Sequence, residues 1–309
     1  MTSLSPARPS GSTARRSSAR RRRRETAVAL AFVAPSLLGF AVFFLWPAVQ
    51  GIWFSVTDYA FFAEANVVGL DNYARLAGDE TFWNALWVTC QYVALNIGFQ
   101  TVLAVAVAVL LHRLTQSVVI RGIVLLPFLI ANVVVALLWY WMLDYQIGIV
   151  NALLPMIGID PVAFFGDSSW AVGTIAFVNI WRHLGYTALL IFAGLQMIPA
   201  NVYEAARIDG ASEWTMFRRI TLPLLRPVLA LVLVITMVGA FQVFDTVAVT
   251  TAGGPAEATK VIQYYIYDLA FAQLDYGYAS AVSVVLLVIL AVVALVQLKL
   301  SRANESDLA

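Results

Sequence analysis

Six stretches of about twenty or more predominantly apolar residues recur along the chain, at residues 27–51, 85–111, 122–143, 170–197, 228–249 and 279–298. Nothing else in the sequence constrains the fold as strongly. A span of ~20 apolar residues is long enough to cross the hydrocarbon core of a bilayer. Backbone groups inside that core find no water, so each span must satisfy its own N–H and C=O groups and is expected to be a helix. Composition agrees: 61% of residues are hydrophobic and 12% charged, against about 25% charge in a soluble domain. The fold class expected is therefore an all-α polytopic membrane protein with six transmembrane helices. The lone cysteine, Cys90, lies within the second span and cannot form an intrachain disulfide; it is read as a small apolar residue.

Charge then sets orientation. Residues 1–26 form a Ser-, Pro- and Arg-rich tail with eight arginines before Glu25 and no acidic residue. Its low hydrophobicity predicts disorder. The basic end of a span stays in the cytoplasm, so the N-terminus is placed inside. A cleaved signal peptide fits less well, because the apolar run is long and no small-x-small site follows it. If the six spans alternate, sixteen of the nineteen Lys and Arg residues lie on the inside, Arg75 and Lys260 lie outside, and Arg182 lies within a span. Both termini are then cytoplasmic, with a short tail at 299–309.

The polar interruption between the fourth and fifth spans, residues 199–227, carries Arg207, Arg218, Arg219 and Arg226 and falls on that inner side. Asn201 and Glu204 have capping-box spacing, predicting a short helix over residues 202–208. Asp209-Gly210 reads as a glycine corner. Ser212 can cap a second helix running to about Ile220, with Trp214, Phe217 and Ile220 on its apolar side. Pro223 and Pro227 stop the helix or set the start of the next.

These residues carry a resemblance. Glu204-Ala205-Ala206, Asp209-Gly210-Ala211-Ser212, then Phe217, Ile220 and Leu222-Pro223 resemble the EAA loop of binding-protein-dependent ABC-importer permeases, in the sugar-permease branch that includes the maltose and glycerol-3-phosphate permeases. Gly69-Leu70-Asp71-Asn72-Tyr73, Thr251-Ala252-Gly253-Gly254-Pro255 with Thr259, and Gly277-Tyr278-Ala279-Ser280-Ala281 resemble further elements of that branch. The resemblance covers about residues 27–298. It implies a type I ABC importer permease architecture in the cytoplasmic (inner) membrane of a prokaryote. It also implies a second, non-identical permease subunit, two ATPase subunits docked on Glu204, Ala205, Ala206, Asp209, Gly210, Ala211, Phe217, Ile220, Leu222 and Pro223, and an extracytoplasmic solute-binding protein. The solute implied is a sugar or sugar-like molecule, moved by alternating access. Arg75, in the first outer loop, is a candidate contact for the binding protein.

Only two lysines are present, Lys260 and Lys299, and neither sits in a GxxxxGK[ST] setting. The chain therefore has no P-loop; ATP and Mg are expected on partner subunits, and no cofactor in this chain. Two histidines and no Cys/His cluster indicate no metal site, and no catalytic constellation supports an enzyme. Within the spans, Asn179, Arg182 and Tyr186 share a helix face by spacing, and Gln242 and Asp245 are three apart. A charge at mid-membrane costs roughly 2.5–3.5 kcal/mol on insertion scales, so Arg182 needs a cavity or a partner, and Asp245 is its candidate counter-ion. These five residues mark either a solute path or a structural ion pair. The aromatics Trp139, Tyr140, Trp141, Trp170 and Trp181 form an interfacial belt or stack on sugar rings. Other readings are a permease for glycerol phosphate or another polar solute, an ion-coupled secondary transporter built on Arg182 and Asp245, and a membrane scaffold whose tail binds acidic lipid. Nucleic acid is not expected as a partner.

Overall fold

The computed structural model describes residues 28–60, 65–115 and 117–303, with side chains through residue 299. The basic tail at 1–26 and the last six residues lie outside the described residues. The chain divides between Trp53 and Phe54 into two units. The first holds all but the last residue of α1 (Val28–Phe54), which passes Pro35 and Pro47 and widens into a π turn at Ala41–Leu45. Its side chains are apolar on every face, and Phe32 and Phe43 are 83% and 76% exposed. A helix apolar all round is suited to lipid rather than to a single buried stripe.

The second unit contains α2 (Asp71–Ala77), α3 (Glu80–Leu114), α4 (Val118–Leu129), α5 (Asn132–Met142), α6 (Ile149–Leu153), α7 (Ser168–Gln196), α8 (Ala200–Ile208), α9 (Glu213–Met216), α10 (Arg226–Phe241), α11 (Asp245–Thr250), α12 (Ile262–Tyr267) and α13 (Tyr276–Ala303). Among the described residues, five helical segments are long and apolar enough to cross a membrane, Arg226–Thr250 (α10 with α11) counted as one of them, and six if α4 and α5, bent by 87°, count as one span.

The long helices α3 and α7 form the spine. Ala104 and Ala108 on α3 and Ala188 on α7 are fully buried, and small residues at this spacing let two helix backbones approach closely. Ile191, Leu195, Leu225 and Val232 complete this end of the core. At the other end Phe82, Tyr92, Ile175, Phe241, Val247, Ile262 and Tyr278 pack together. Asp79 starts α3 by accepting from the N–H groups of Thr81 and Phe82, and Asp167 starts α7 by accepting from Ser169, as N-cap carboxylates do.

Two expectations need correction. The third span is not one straight helix: Ile130 and Ala131 are extended, with ψ of 140° and 138°. Pro127 lies inside α4 and offers no backbone N–H, which weakens the ladder just before the break. The fifth span also breaks, at Gln242–Phe244, between α10 and α11. The sixth span, Tyr276–Lys299, lies close to the expected bounds, and its helix continues to Ala303.

Candidate functional site

The break between α4 and α5 frees carbonyls that a helix would have satisfied. Arg182 supplies donors to two of them. Its Nε donates to the Ile130 carbonyl and its Nη2 to the Phe128 carbonyl, each at 3.2 Å. Its Nη1 donates to His183 Nε2 at 2.9 Å. The guanidinium also lies 5.2 Å from the Phe128 ring centroid, and Tyr186 stacks on the other partner of that contact, Phe128, at 4.4 Å. Arg182 thus caps the C-terminal end of α4, where cations suit the helix dipole. The expected ion pair with Asp245 does not form. The planar guanidinium fork is matched by two carbonyls that would otherwise be stranded in an apolar layer.

Asp245 has a different partner. Asn132 Nδ2 donates to Asp245 Oδ2 at 2.8 Å. These are the first residues of α5 and α11, so the two broken spans meet at their breaks. Gln242 is the C-cap of α10 and Asp245 opens α11; they are not i, i+3 neighbours on one continuous helix, as spacing alone suggests.

A cavity of about 280 Å³ lies beside these breaks. Four of the five residues singled out in the spans line it: Asn179, Tyr186, Gln242 and Asp245. Arg182 does not line it; its neighbour His183 does. Sequence reasoning missed Tyr92, Asn96, Gln100 and Asn132, which line it too. The first three recur at i, i+4, i+8 along α3, a polar stripe on an apolar helix that spacing could have disclosed. Gln100 Nε2 donates to Thr187 Oγ1 at 2.8 Å, and Asn179 Nδ2 donates to Thr246 Oγ1 at 3.1 Å. These bonds fix α3 and α11 against α7 with polar atoms left facing the cavity.

The stretch between α7 and α10 forms a helical corner. Helix α8 begins at Ala200 after Pro199, with no side-chain cap. The predicted Asn201–Glu204 capping box is absent because Asn201 is already inside the helix. Gly210 has φ of +75°, and Ala211 N–H bonds the Ala206 carbonyl at 2.9 Å, the left-handed termination that glycine favours. Ser212 caps α9 through Thr215 N–H, as expected. Beyond Met216 the helix widens into a π turn at Phe217–Thr221 and continues through Leu222–Leu224. Pro227 sits in the first turn of α10, where a missing N–H costs nothing, and Pro223 lies where the π turn passes into residues 222–224.

Ala206 and Met216 are buried and anchor the corner. Tyr203 and Thr221 hydroxyls bond at 3.0 Å, and Arg113 of α3 pairs with Glu213 at 2.7 Å. Glu204, Ala205, Asp209 and Gly210 are exposed, while Ala211, Phe217, Ile220, Leu222 and Pro223 are half-buried. Ile208 and Trp214 are 87% and 68% exposed. A cleft of about 200 Å³ runs between α3 and this corner, lined in part by His112, Glu204, Arg207 and Phe217.

The loops at the far end of the bundle are tied together by the other motif residues. Asn72 donates to the carbonyls of Ser55 and Thr57 at 3.0 and 2.8 Å. Thr251 and Thr259 hydroxyls bond at 2.7 Å across the Gly253-Gly254-Pro255 turn. Arg75 pairs with Asp275 at 2.7 Å and lies 3.8 Å from the Tyr278 ring centroid. The guanidinium is thus engaged in joining these loops, an internal role the sequence reading did not assign to it. Asp79 accepts from the Tyr265 and Tyr278 hydroxyls. Its partial burial acts to raise the carboxyl pKa, but the two hydroxyls and the N–H groups of Phe82 and Thr81 outweigh it and hold Asp79 below the ordinary value.

A multi-pass helical bundle, two broken helices framing a polar cavity, and an exposed helical corner at one end together define a membrane-embedded solute-transport subunit. The family model of the binding-protein-dependent transport system inner membrane component matches residues 100–305, and the chain belongs to that family. It is 35% identical over 284 residues to the trehalose/maltose transport system permease protein MalF of Thermococcus litoralis, covering 90% of this chain and 95% of that one. It is 34% identical over 275 residues to the sn-glycerol-3-phosphate transport system permease protein UgpA of Escherichia coli, covering 86% and 91%. A chain of the bacterial alginate ABC transporter, solved in complex with an alginate pentasaccharide-bound periplasmic protein, superposes with a TM-score of 0.80 at 27% identity, covering 91% of this chain and 96% of that one. The protein is an ABC-importer permease of the inner membrane.

Proposed function

We propose that the chain passes a sugar or sugar-like solute through the cavity beside Asp245, driven by separate ATPase subunits seated on the corner from Glu204 to Pro223. The observation that carries this reading is the corner itself. Small or exposed residues (Ala205, Gly210) lie next to apolar side chains left largely uncovered, Ile208 and Trp214. Exposed apolar residues on a rigid helical element are what a protein partner covers.

The corner is mechanically joined to the cavity. Arg113–Glu213 connects it to α3, Leu225 packs in one core cluster with Val232 of α10, and α3 carries Tyr92, Asn96 and Gln100 to the cavity wall. Movement of docked ATPase subunits therefore has a path to the breaks at residues 130–131 and 242–244, in an alternating-access cycle. The arginine distribution supports a cytoplasmic position for the corner and both termini. A second, non-identical permease subunit completes the pathway, and an extracytoplasmic binding protein delivers the solute. ATP and Mg belong to the ATPase subunits. The secondary-transporter alternative relied on Arg182 and Asp245 as a coupling site; their charges interact, but the hydrogen bonds of each go to other partners. The solutes for which these relatives are named include uncharged and anionic molecules, so family membership does not choose between sugar and glycerol phosphate.

The test is recovery of partners from detergent-solubilised native membrane, comparing wild type with a Glu204→Arg, Gly210→Asp double variant. An ATPase that copurifies with the wild type and is lost from the variant supports the reading. Wild-type protein recovered without an ATPase, under conditions that keep complexes intact, overturns it.

A further inference from the structure

We infer that the cavity accepts an uncharged, polyhydroxylated solute, and that Asp245 is the residue that turns anionic analogues away. This rests on the reading of the cavity as the solute path.

The lining chemistry carries the inference. Asn96, Gln100, Asn132, Asn179 and Gln242 bring five carboxamides to one cavity, with Asp245 as its carboxylate and no Lys or Arg among the lining residues. A carboxamide both donates and accepts hydrogen bonds, and so does a hydroxyl; an ionised carboxylate or phosphate only accepts. Five carboxamides therefore match a ring of hydroxyls, and they offer no cation to an anion.

Two nearby groups could supply positive charge; Arg182 keeps its charge and acts electrostatically on Asp245, but it does not line the cavity and has no donor turned to it. Arg182 spends its donors on the Phe128 and Ile130 carbonyls and on His183. A guanidinium has no acceptor, so in the Arg182–His183 bond the Nε2 atom of His183 must accept. His183 Nδ1, 2.9 Å from the Asn179 carbonyl, is then the protonated nitrogen, and the ring is neutral. Among the lining residues the carboxylate is Asp245 alone, so it is the charged group that a solute in the cavity meets directly. Its Oδ2 accepts from Asn132; its Oδ1 takes no hydrogen bond from any described residue. A carboxylate oxygen facing a polar cavity seeks donors, which sugar hydroxyls provide. A phosphate or uronate would bring like charge against it, and like-charge juxtaposition is how a site rejects a wrong partner.

The experiment uses the intact complex copurified with this chain, in lipid nanodiscs, carrying Cys90→Ser and Ile235→Cys. Ile235 lines the cavity without belonging to its polar set, so N-ethylmaleimide labelling of the new cysteine reports occupancy. Protection is measured with a neutral panel (glucose, maltose, trehalose) and an anionic panel (glucose 6-phosphate, glucuronate, glycerol 3-phosphate). Protection by a neutral sugar and by no anionic one is expected. In an Asp245→Asn background the neutral-to-anionic preference should fall roughly tenfold or more, since removing one like charge removes the repulsive element. Equal or stronger protection by an anionic solute in the wild-type cavity overturns the charge selection while leaving the solute path standing. No protection by either panel removes the solute path and this inference with it. An Asp245→Asn complex that assembles with its preference unchanged overturns the role given to Asp245, and the wild-type panels decide the rest if that variant fails to assemble.

Discussion

Asn132 donates to Asp245 across 2.8 Å, joining the first residue of α5 to the first residue of α11. The bond pairs the breaks of two different spans, so the local geometry of each break supports the other. Non-helical backbone at membrane depth is tolerated where protein or a cavity satisfies it, and discontinuous helices facing one another are a recurrent way to build a solute site.

Removing one partner of that bond leaves the other without its hydrogen bond in a partly buried site. Asn132→Leu should destabilise the subunit by ~1–3 kcal/mol, the cost of an unsatisfied partly buried polar group. Asp245→Ala should lower transport or membrane abundance. Thermal midpoints in detergent and quantified uptake check both; wild-type values in each assay would mean that the tie contributes nothing.

Arg182 is expected to be intolerant even of lysine. A lysine ammonium is a compact point charge and cannot present the planar fork that reaches the Phe128 and Ile130 carbonyls together. Arg182→Lys should cost ~1–3 kcal/mol and increase proteolytic cleavage near residues 128–132. Arg182→Leu should do both to a greater degree. Unchanged cleavage in Arg182→Leu would show that the break is held by other contacts.

Stability should fall in acid through Asp79. Its carboxyl pKa is depressed in the folded state, so the unfolded chain takes up its proton first as pH drops. The contribution is complete above the unfolded value, about 3.9, and is lost as pH falls through the lower folded value. The thermal midpoint should therefore decline below about pH 4, and the decline should be shallower in Asp79→Asn, which has no carboxyl to protonate. An identical pH profile for the two proteins contradicts this.

Gly277 should not accept a side chain. A Cβ at this position would collide with the Thr57 carbonyl, which is backbone and cannot rotate away. Gly277→Ala should cost ~1–3 kcal/mol, in the range of overpacked cores, whereas alanine at Gly239, where nothing lies within 4 Å, should be nearly neutral. Comparing the two thermal midpoints separates close packing from helix propensity, which would favour alanine at both.

Much of this protein was legible in the chain alone. Bilayer length and the backbone's need for partners determined a helical bundle with spans close to those observed, and the glycine corner followed from Asp209-Gly210 and Ser212, whose constraints are local. The exceptions share one cause. The 87° bend after Leu129, the gap at Gln242–Phe244 and the true partners of Arg182 and Asp245 all depend on which side chain reaches across from another helix. A continuous apolar run cannot disclose a broken span, because hydropathy measures solvent preference and not whether carbonyls such as those of Phe128 and Ile130 have donors. The tertiary structure decided those pairings, since only packing brings Arg182 beside carbonyls more than fifty residues away.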